Sequence, residues 1–352
     1  MSIVLVTGSC GLIGSETVSF FAEKGLDIVG IDNNMRKSFF GEDGSVLWNQ
    51  KRLKTKYKNY KHYAIDIRNE NQVNMIFKKF AGKIDLIVHA AAQPSHDWAA
   101  KDPMVDFGVN ALGTMILLEA FRKYSPKSAF IFTSTNKVYG DGPNSLPLIE
   151  MEKRYDLSES QQYYKGIDEH MSIDNCLHSV FGASKVAADV MTQEYGRYFG
   201  LKTAVFRGGC LTGPAHSGAE LHGFLSYFVK CAITGRKYMV YGYKGKQVRD
   251  NIHAYDLVNA FYHYSKNPSN GEVYNIGGGR FANISILEAI ELCQKLTGKK
   301  FNYEYIDKNR IGDHIWWISD VSKFKSHYPG WQYKFGIEDT IRQIYERQKE
   351  IA

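Results

Sequence analysis

Two short segments contain three positions, 135, 181 and 185, whose spacing is typical of a proton-transfer site. The segment FTSTNKVYG (132–140) places Thr135 where a hydroxyl could hold a substrate alcohol. The segment HSVFGASKVAAD (178–189) places Phe181 and Lys185 four residues apart, and so on one face of a helix. With tyrosine at position 181 the pair would be a base near neutral pH, because a nearby ammonium lowers the pKa of a phenol. Since Phe181 lacks that oxygen, the sequence predicts a redox site without its usual base.

A glycine loop near the N-terminus predicts a dinucleotide site. TGSCGLIG (7–14) follows an apolar strand pattern and opens a helical one. Glycines in this context allow a tight turn and let backbone N–H groups approach a pyrophosphate at the helix N-terminus. Asp32 ends the next predicted strand, 18 residues beyond Gly14. A carboxylate there accepts hydrogen bonds from ribose hydroxyls and repels a 2′-phosphate, so NAD is predicted rather than NADP.

The elements that must position these residues alternate between strand and helix patterns. Segments of helical spacing separate compact apolar runs rich in Val, Ile and Phe, which lie at 3–8, 26–32, 61–66, 84–92 and 128–135. This alternation predicts an α/β fold with a doubly wound, Rossmann-like parallel sheet. We predict an NAD-binding domain over 1–206 plus 250–278. The loops rich in Gly, His and Tyr further on predict a smaller interleaved α/β substrate-binding lobe over 207–249 plus 279–352.

Composition places the chain among ordinary globular proteins. It contains 44% hydrophobic and 23% charged residues, and no apolar run reaches the roughly 18 residues of a membrane span. Five scattered cysteines without CxxC or Cys/His ligand spacing favour a reduced, cytoplasmic protein without a metal site. The net charge of +7 suits a diphosphate ligand. The lysine-rich run at 51–61 is typical of a solvated face, so neither a nucleic-acid nor a membrane partner is predicted.

Longer strings of the sequence resemble the extended short-chain dehydrogenase/reductase family of nucleotide-sugar enzymes. The resemblance covers essentially the whole chain and is carried by TGSCGLIG, Asp32, Asp66-Ile67, HAAAQPS (89–95), NALGT (110–114), FTSTNKVYG and the helix with Lys185. Within this family, four strings are similar to the CDP-paratose (CDP-tyvelose) 2-epimerases: TNKVYG (135–140), GIDEHMSID (166–174), RGGCLTGPAHSGAELHGFLSY (207–227) and GYKGKQVRDNIH (242–253).

The resemblance implies an isomerase with tightly held NAD, of the kind used in cell-surface polysaccharide biosynthesis. In such an enzyme the C2 hydroxyl of a CDP-sugar is oxidised to a ketone, and the hydride then returns to the opposite face. Thr135 would orient the hydroxyl, position 181 would be the base, and Lys185 would bind the nicotinamide ribose and tune that base. The implied cofactor-binding residues are Gly8, Gly11, Leu12, Ile13, Gly14, Asp32, Asn33, Asp66, Ile67, Ala90, Ala91, Ala92, Asn110, Thr133 and Lys185.

The resemblance also implies contacts to the nucleotide sugar and an assembly. Arg249 and Arg310 match arginines that clamp the diphosphate, a task suited to a planar fork of donors. Helices such as those over 110–121 and 181–195 pack across a two-fold axis in this family, which implies a homodimer or homotetramer. The implied substrate-binding residues are Pro94, Thr135, Asn136, Cys210, His222, Tyr241, Arg249 and Arg310.

Departures from the family pattern narrow the reaction without fixing it. The family's sugar dehydratases carry a Thr-Asp-Glu triplet, whereas Asn136 and Lys137 follow Thr135 here, which disfavours dehydration. Cys210 stands where UDP-sugar 4-epimerases commonly carry asparagine, which disfavours C4 chemistry. Two alternatives stay open: a C4 epimerase for a UDP- or GDP-sugar, and a catalytically inactive protein that binds NAD or a nucleotide sugar. Phe181, whether natural or engineered, predicts binding of both ligands with impaired turnover.

Some polar residues near these motifs have a structural interpretation instead. His89 continues a buried strand and is predicted to be a core histidine with satisfied hydrogen bonds. Tyr163 and Tyr164 could replace the missing phenol, but their position outside the helix register of residue 181 disfavours that role.

Overall fold

The computed structural model describes residues 2–218, 223–310 and 312–351. Its strands, numbered along the chain, are β1 (Ile3–Thr7), β2 (Asp27–Ile31), β3 (Tyr60–Tyr63), β4 (Ile84–His89), β5 (Ala129–Thr135), β6 (Ile149–Glu150), β7 (Tyr155–Asp156), β8 (Lys202–Gly208), β9 (Cys210–Thr212), β10 (Tyr238–Tyr241), β11 (Val248–His253), β12 (Glu272–Ile276), β13 (Asn283–Ser285), β14 (Tyr303–Ile306) and β15 (Trp316–Trp317).

The helices separate these strands for most of the chain. They are α1 (Leu12–Glu23), α2 (Arg36–Phe40), α3 (Leu47–Lys56), α4 (Glu70–Lys79), α5 (His96–Lys101), α6 (Pro103–Phe107), α7 (Gly113–Tyr124), α8 (Ser179–Arg197), α9 (Phe224–Thr234), α10 (Ala254–Lys266), α11 (Ile286–Thr297), α12 (Ser322–His327) and α13 (Ile337–Ile351). A π-helical turn, Gly108–Leu112, joins α6 to α7. Short 3₁₀ turns lie at Glu42–Gly44, Asn136–Tyr139, Gly142–Ser145 and Tyr243–Gly245.

The first of two compact units contains the predicted doubly wound sheet. It comprises 2–138, 180–207 and 258–274. Seven strands follow the order β12-β8-β5-β4-β1-β2-β3. β1 is parallel to both β2 and β4, and β4 is parallel to β5. Every residue of β1 is buried, as expected of a strand covered on both faces by helices. The carboxyl ends of these parallel strands share one edge of the sheet, and that edge carries the candidate site.

The second unit is built around a smaller sheet. It comprises 139–179, 208–257 and the chain from 275 onward. β11 is parallel to β9 and β15 and antiparallel to β13, while β10 and β14 form a separate parallel pair. An apolar core joins α9, α11 and α13, with Phe228, Ala289 and Ile341 buried at its centre.

The observed units divide the chain differently from the predicted domains. Residues 139–179, 250–257 and 275–278 belong to the second unit, whereas the prediction placed them in the NAD-binding domain. Arg207 belongs to the first unit, whereas the prediction placed it in the substrate-binding lobe. The reason is that residues far apart in sequence form backbone hydrogen bonds and β-bridges with each other. Tyr155 N donates to Lys246 O at 2.9 Å, and Ile167 forms a β-bridge with Ser319. Neither contact leaves a local sequence signal.

One continuous helical stretch, Pro103–Tyr124, is long and apolar enough to cross a membrane by length and composition alone. Its most apolar 18-residue window has a mean hydropathy of 1.4, and 61% of that window is buried inside the protein. Because the core helix of a globular protein has the same properties, this stretch is weak support for a membrane span.

Candidate functional site

The glycine loop connects β1 to α1 in a conformation that excludes side chains. Gly8 has φ +65°, and a Cβ there would lie 2.7 Å from Ala91 N. A Cβ on Gly14 would lie 2.0 Å from Gly8 O. No side chain caps the start of α1, so its first backbone N–H groups can face a phosphate. The residues present therefore fit the pyrophosphate of a dinucleotide, with Gly11, Leu12 and Ile13 at the helix start.

Asp32 follows β2 and lies against the glycine loop. Its carboxylate accepts from Cys10 N at 3.0 Å and from Asn34 N at 2.8 Å. Burial raises the pKa of Asp32, and these two backbone donors oppose that rise. A carboxylate has about four acceptor positions, so Asp32 retains capacity for the two hydroxyls of a ribose. Asn33, beside it, is exposed and its side chain accepts from Met35 N.

Asp66 has a partner that the sequence did not predict. Arg68 donates to it from Nε at 3.0 Å and from Nη2 at 2.6 Å. The guanidinium holds the pKa of the Asp66 carboxyl below its usual range. The ion pair is about one-third exposed, so the predicted adenine contact of Asp66 stays a prediction. Ile67, next in the chain, is buried in the core.

The end of β4 is fixed to the glycine loop through a buried histidine. His89 shares hydrogen bonds with Thr7 Oγ1 at 2.7 Å and Thr114 Oγ1 at 2.9 Å. Burial lowers the pKa of His89 to about 3, so its imidazole is neutral. The predicted core histidine is therefore confirmed. Ala90 N and Ala91 N donate to Thr7, which places the segment 90–92 beside the loop.

Lys185 on α8 reaches the carboxyl end of β5. The side chain is buried, Nζ donates to Thr133 O at 2.9 Å, and the ammonium stands 4.1 Å from the Phe132 ring centroid. Burial lowers the pKa of Lys185 to about 7, although the carboxylates of Asp189 and Asp106 act against this shift. A polar ligand that solvates the charged form of Lys185 would raise this pKa again.

An orphaned hydroxyl marks the same place. Thr133 Oγ1 is buried and has no hydrogen-bond partner among the described residues. Buried polar atoms are normally satisfied, so an unpaired one beside Lys185 fits a ligand at this strand end. Thr135 ends β5 two residues further on and is partly exposed, and its Oγ1 accepts from Lys137 N at 3.2 Å. Asn136 is buried. This edge therefore combines two hydroxyls, one of them unsatisfied, with an ammonium.

A buried ion pair holds α8 against the sheet. Asp189 accepts from Arg207 Nε at 3.0 Å and Nη2 at 2.9 Å. It also accepts from Ser134 Oγ at 2.6 Å and Gln193 Nε2 at 2.7 Å. Both charged side chains are almost completely buried. Since Arg207 lies on β8 and Ser134 on β5, this network fixes the helix that carries Phe181 and Lys185.

Phe181 is buried on α8, and its ring meets His96 with centroids 4.8 Å apart. Sequence reasoning missed His96, although it directly follows the HAAAQPS motif.

Asn110, predicted to touch the cofactor, lies in a buried network with Gln93, Asp106 and Ser184. Pro94, a predicted substrate contact, is partly exposed at the end of that loop.

The remaining predicted substrate contacts lie in the second unit. Cys210 begins β9 beside Asn251 of β11, and Tyr241 ends β10. Arg249 is close enough to Tyr243 to act on its pKa, and Arg310 acts in the same way on Tyr238. Burial and Asp313 raise the pKa of both tyrosines, and the arginine beside each one opposes that rise. His222 lies outside the described residues.

Comparison with known proteins assigns the class. The model of the NAD dependent epimerase/dehydratase family matches residues 4–277, and the chain belongs to this family. A CDP-paratose 2-epimerase from Salmonella typhi is 31% identical over 355 residues, with 99% of each chain covered. A UDP-glucuronate 4-epimerase from Thermodesulfobacterium geofontis is 27% identical over 350 residues, covering 99% of this chain and 97% of the relative.

A solved structure agrees with the fold. The UDP-glucose 4-epimerase of Thermus thermophilus, in complex with NAD, superposes with a TM-score of 0.79 at 24% identity and covers 99% of this chain and 100% of that chain. The predicted α/β class with a Rossmann-like sheet and the predicted family are therefore confirmed. The family assignment also confirms NAD as the cofactor. The individual roles of the site residues stay predictions.

Proposed function

We propose that this chain is a nucleotide-sugar epimerase that inverts C2 of a CDP-sugar of the CDP-paratose/CDP-tyvelose type. The observation that carries the proposal is the end of β5, where buried Lys185 binds Thr133 O and Thr135 follows two residues later. Asn136 and Lys137 leave this edge without the carboxylates that elimination of water would need. The preference for CDP is supported by the 31% identity to a CDP-paratose 2-epimerase along the whole chain.

The chain's own residues divide the work of such a reaction. When bound, NAD supplies an acceptor that takes a hydride from the sugar carbon and later returns it. Thr135 Oγ1 is a donor and an acceptor, so it can orient the sugar hydroxyl that loses its proton. Lys185 supplies a positive charge that favours loss of that proton. In the second unit, Arg249 and Arg310 provide planar forks of donors suited to a diphosphate.

Phe181 has no hydroxyl, so it cannot accept the proton as a tyrosine at this position would. Phe181→Tyr places a phenol beside Lys185, and we expect this variant to interconvert the two C2 epimers of the CDP-sugar. General-base catalysis contributes about 10²–10⁴-fold, so exchange by this variant should be measurable by chromatography of the nucleotide sugars after incubation. Mass spectrometry of ligand released from the purified protein would identify the nucleotide and the NAD occupancy independently.

The outcomes separate the alternatives. Exchange at C4 of UDP- or GDP-sugars by Phe181→Tyr, without exchange at C2 of CDP-sugars, would contradict the assigned carbon and nucleotide. If this variant retains NAD and a nucleotide sugar but interconverts none of the CDP-, UDP- or GDP-sugars, the inactive binding protein is the better description.

A further inference from the structure

An imidazole lies directly against the ring that replaces the expected phenol. The ring centroids of His96 and Phe181 are 4.8 Å apart, with an interplanar angle of 64°. Phe181 is buried, whereas His96 is partly exposed. His96 therefore contacts the same ring that carries the hydroxyl when residue 181 is tyrosine. No other titratable side chain among the described residues shows a ring contact with Phe181.

Hydrogen bonds of buried side chains fix the loop that leads to His96. Ser95 Oγ accepts from Trp98 N at 3.2 Å and caps α5, the short helix that His96 begins. Ser95 N donates to Gln93 Oε1 at 2.5 Å, and Gln93 Nε2 donates to Asp106 Oδ1 at 2.7 Å. Gln93, Ser95 and Asp106 are buried, and their hydrogen bonds fix the backbone leading into the imidazole. The second oxygen of the carboxylate, Asp106 Oδ2, has no hydrogen-bond partner among the described residues.

The same network reaches the helix turn of Phe181. Asn110 Nδ2 donates to Asp106 Oδ1 at 3.0 Å and to Ser184 Oγ at 3.1 Å. Ser184 Oγ in turn donates to Phe181 O at 3.0 Å. A continuous set of buried hydrogen bonds therefore connects the two segments that carry the rings. The His96–Phe181 contact is thus built into the polar core of the first unit rather than being a chance meeting of surface side chains.

We propose that His96 is the proton acceptor and donor of this site, in the place of the family's tyrosine. The inference rests on the proposed epimerase function. In its neutral form the imidazole takes the proton of the sugar hydroxyl as the hydride leaves the carbon for NAD, so a C=O bond forms as C–H and O–H break. On return of the hydride the imidazolium gives the proton back to the oxygen. Protons and electrons balance, and no further reactant is needed.

Histidine suits this task because its ordinary pKa, about 6.5, is close to working pH. A phenol needs a large downward shift to act at the same pH, and Lys185 supplies that shift in the tyrosine route. The charged side chains of these elements are Asp97 and Lys101 on α5, Asp106 on α6, and Lys185, Asp189, Glu194 and Arg197 on α8. With histidine as the base, the impaired turnover predicted from Phe181 alone is no longer expected.

The decisive variant is His96→Gln in the NAD-loaded protein. We expect C2 exchange of CDP-paratose or CDP-tyvelose to fall by about 10²–10⁴-fold. Binding of NAD and of CDP-glucose, measured by calorimetry, should be retained. The rate of the unmodified chain should rise with pH through an ionisation that is absent from the profile of His96→Gln. In His96→Gln/Phe181→Tyr the phenol should restore exchange, and the ionisation should move. The matched control is His327→Asn, an exposed histidine at the end of α12.

Equal rates in His96→Gln and the unmodified chain would overturn the inference. So would an unmodified chain that binds both ligands without exchange while Phe181→Tyr is active, and in that case the proposed function stands. A readout independent of turnover is the NMR titration of the His96 ring. Its apparent pKa should change when CDP-glucose is added to the NAD-loaded protein, and an unchanged titration counts against the inference. Loss of NAD and nucleotide binding in every variant would instead contradict the proposed function.

Discussion

A lysine ammonium in the protein interior sets the electrostatics of the candidate site. Lys185 is almost completely buried, and its Nζ contacts the backbone carbonyl of Thr133 and the ring of Phe132. Burial disfavours the charged form, which is why its pKa is lowered to about 7. A ligand with acceptor oxygens near Nζ would reverse part of this shift. Charge at Lys185 is therefore coupled to occupancy of the site.

The pKa of Lys185 predicts a specific pH dependence of stability. The folded value is about 7 and the ordinary value 10.5, so between them the unfolded chain binds a proton that the folded chain has released. The contribution of Lys185 to the free energy of unfolding should therefore increase as pH rises from about 7 towards 10.5. Lys185→Met lacks this contribution. Urea unfolding without ligand, at the two ends of this range, should show the unmodified chain gaining stability relative to Lys185→Met.

The matched control for this titration is Lys299→Met, which removes an exposed lysine. Its difference from the unmodified chain should not change with pH. A constant difference for Lys185→Met as well would contradict a buried lysine that loses its proton near neutrality.

At the scale of elements, α8 matters because it carries both Phe181 and Lys185. Amphipathic packing alone would not fix the rotation of α8 about its axis or its position along that axis. The ion pair between Asp189 and Arg207, with the added bond from Ser134, fixes the helix against β5 and β8. Placement of the site therefore depends on a contact a full helical turn beyond Lys185.

Asp189→Asn should destabilise the protein strongly. The amide keeps the size of the side chain, but Arg207 remains buried without its counter-charge, which typically costs about 3–5 kcal/mol. The free energy of unfolding from urea titration measures the loss. Glu194→Gln on the same helix is the control, because its pair with Arg197 is about half exposed and such pairs contribute about 0–1 kcal/mol. Equal effects of the two substitutions would show that the buried pair does not hold α8.

Much of this element-level description could be predicted from the sequence. β1, β2, β4 and β5 are short apolar runs, and Phe181 and Lys185 share a helix because their spacing is local. The network of Gln93, Asp106 and Asn110 could not be predicted, because it depends on a π-helical turn and on a bond that joins residues 74 positions apart. His96 escaped notice for the same reason: its distance from Phe181 exists only in the folded protein.

At the scale of the whole molecule, an apolar surface lies along α6, the π-turn and α7. Met104 is 81% exposed and Leu112 51%, and Phe107 and Met115 are also exposed on this stretch. Val180 and Val190 on α8 are exposed as well. Exposed apolar side chains grouped on neighbouring helices mark interaction surfaces. We propose that a second copy of the chain covers them.

Leu112→Arg should therefore convert the assembly into monomers. In an isologous interface each copy contributes the same patch, so one substitution places two arginines in the contact. Sedimentation velocity should show a mass near 40.0 kDa instead of a multiple of it. Leu47→Arg is the control, because Leu47 is 52% exposed on α3, a helix that packs on α1 and β3. An unmodified chain that sediments as a monomer would refute the proposed assembly.

The strand order has a consequence for synthesis of the chain. β12 lies at the edge of the first unit's sheet, beside β8, yet it follows β8 in sequence only after residues 208–257 have entered the second unit. While the chain emerges from the ribosome, one edge of β8 stays unpaired until β12 has been synthesised as far as Ile276. The first unit cannot be completed before the second has begun, so release from the ribosome before that residue would leave an aggregation-prone fragment rather than a smaller folded protein.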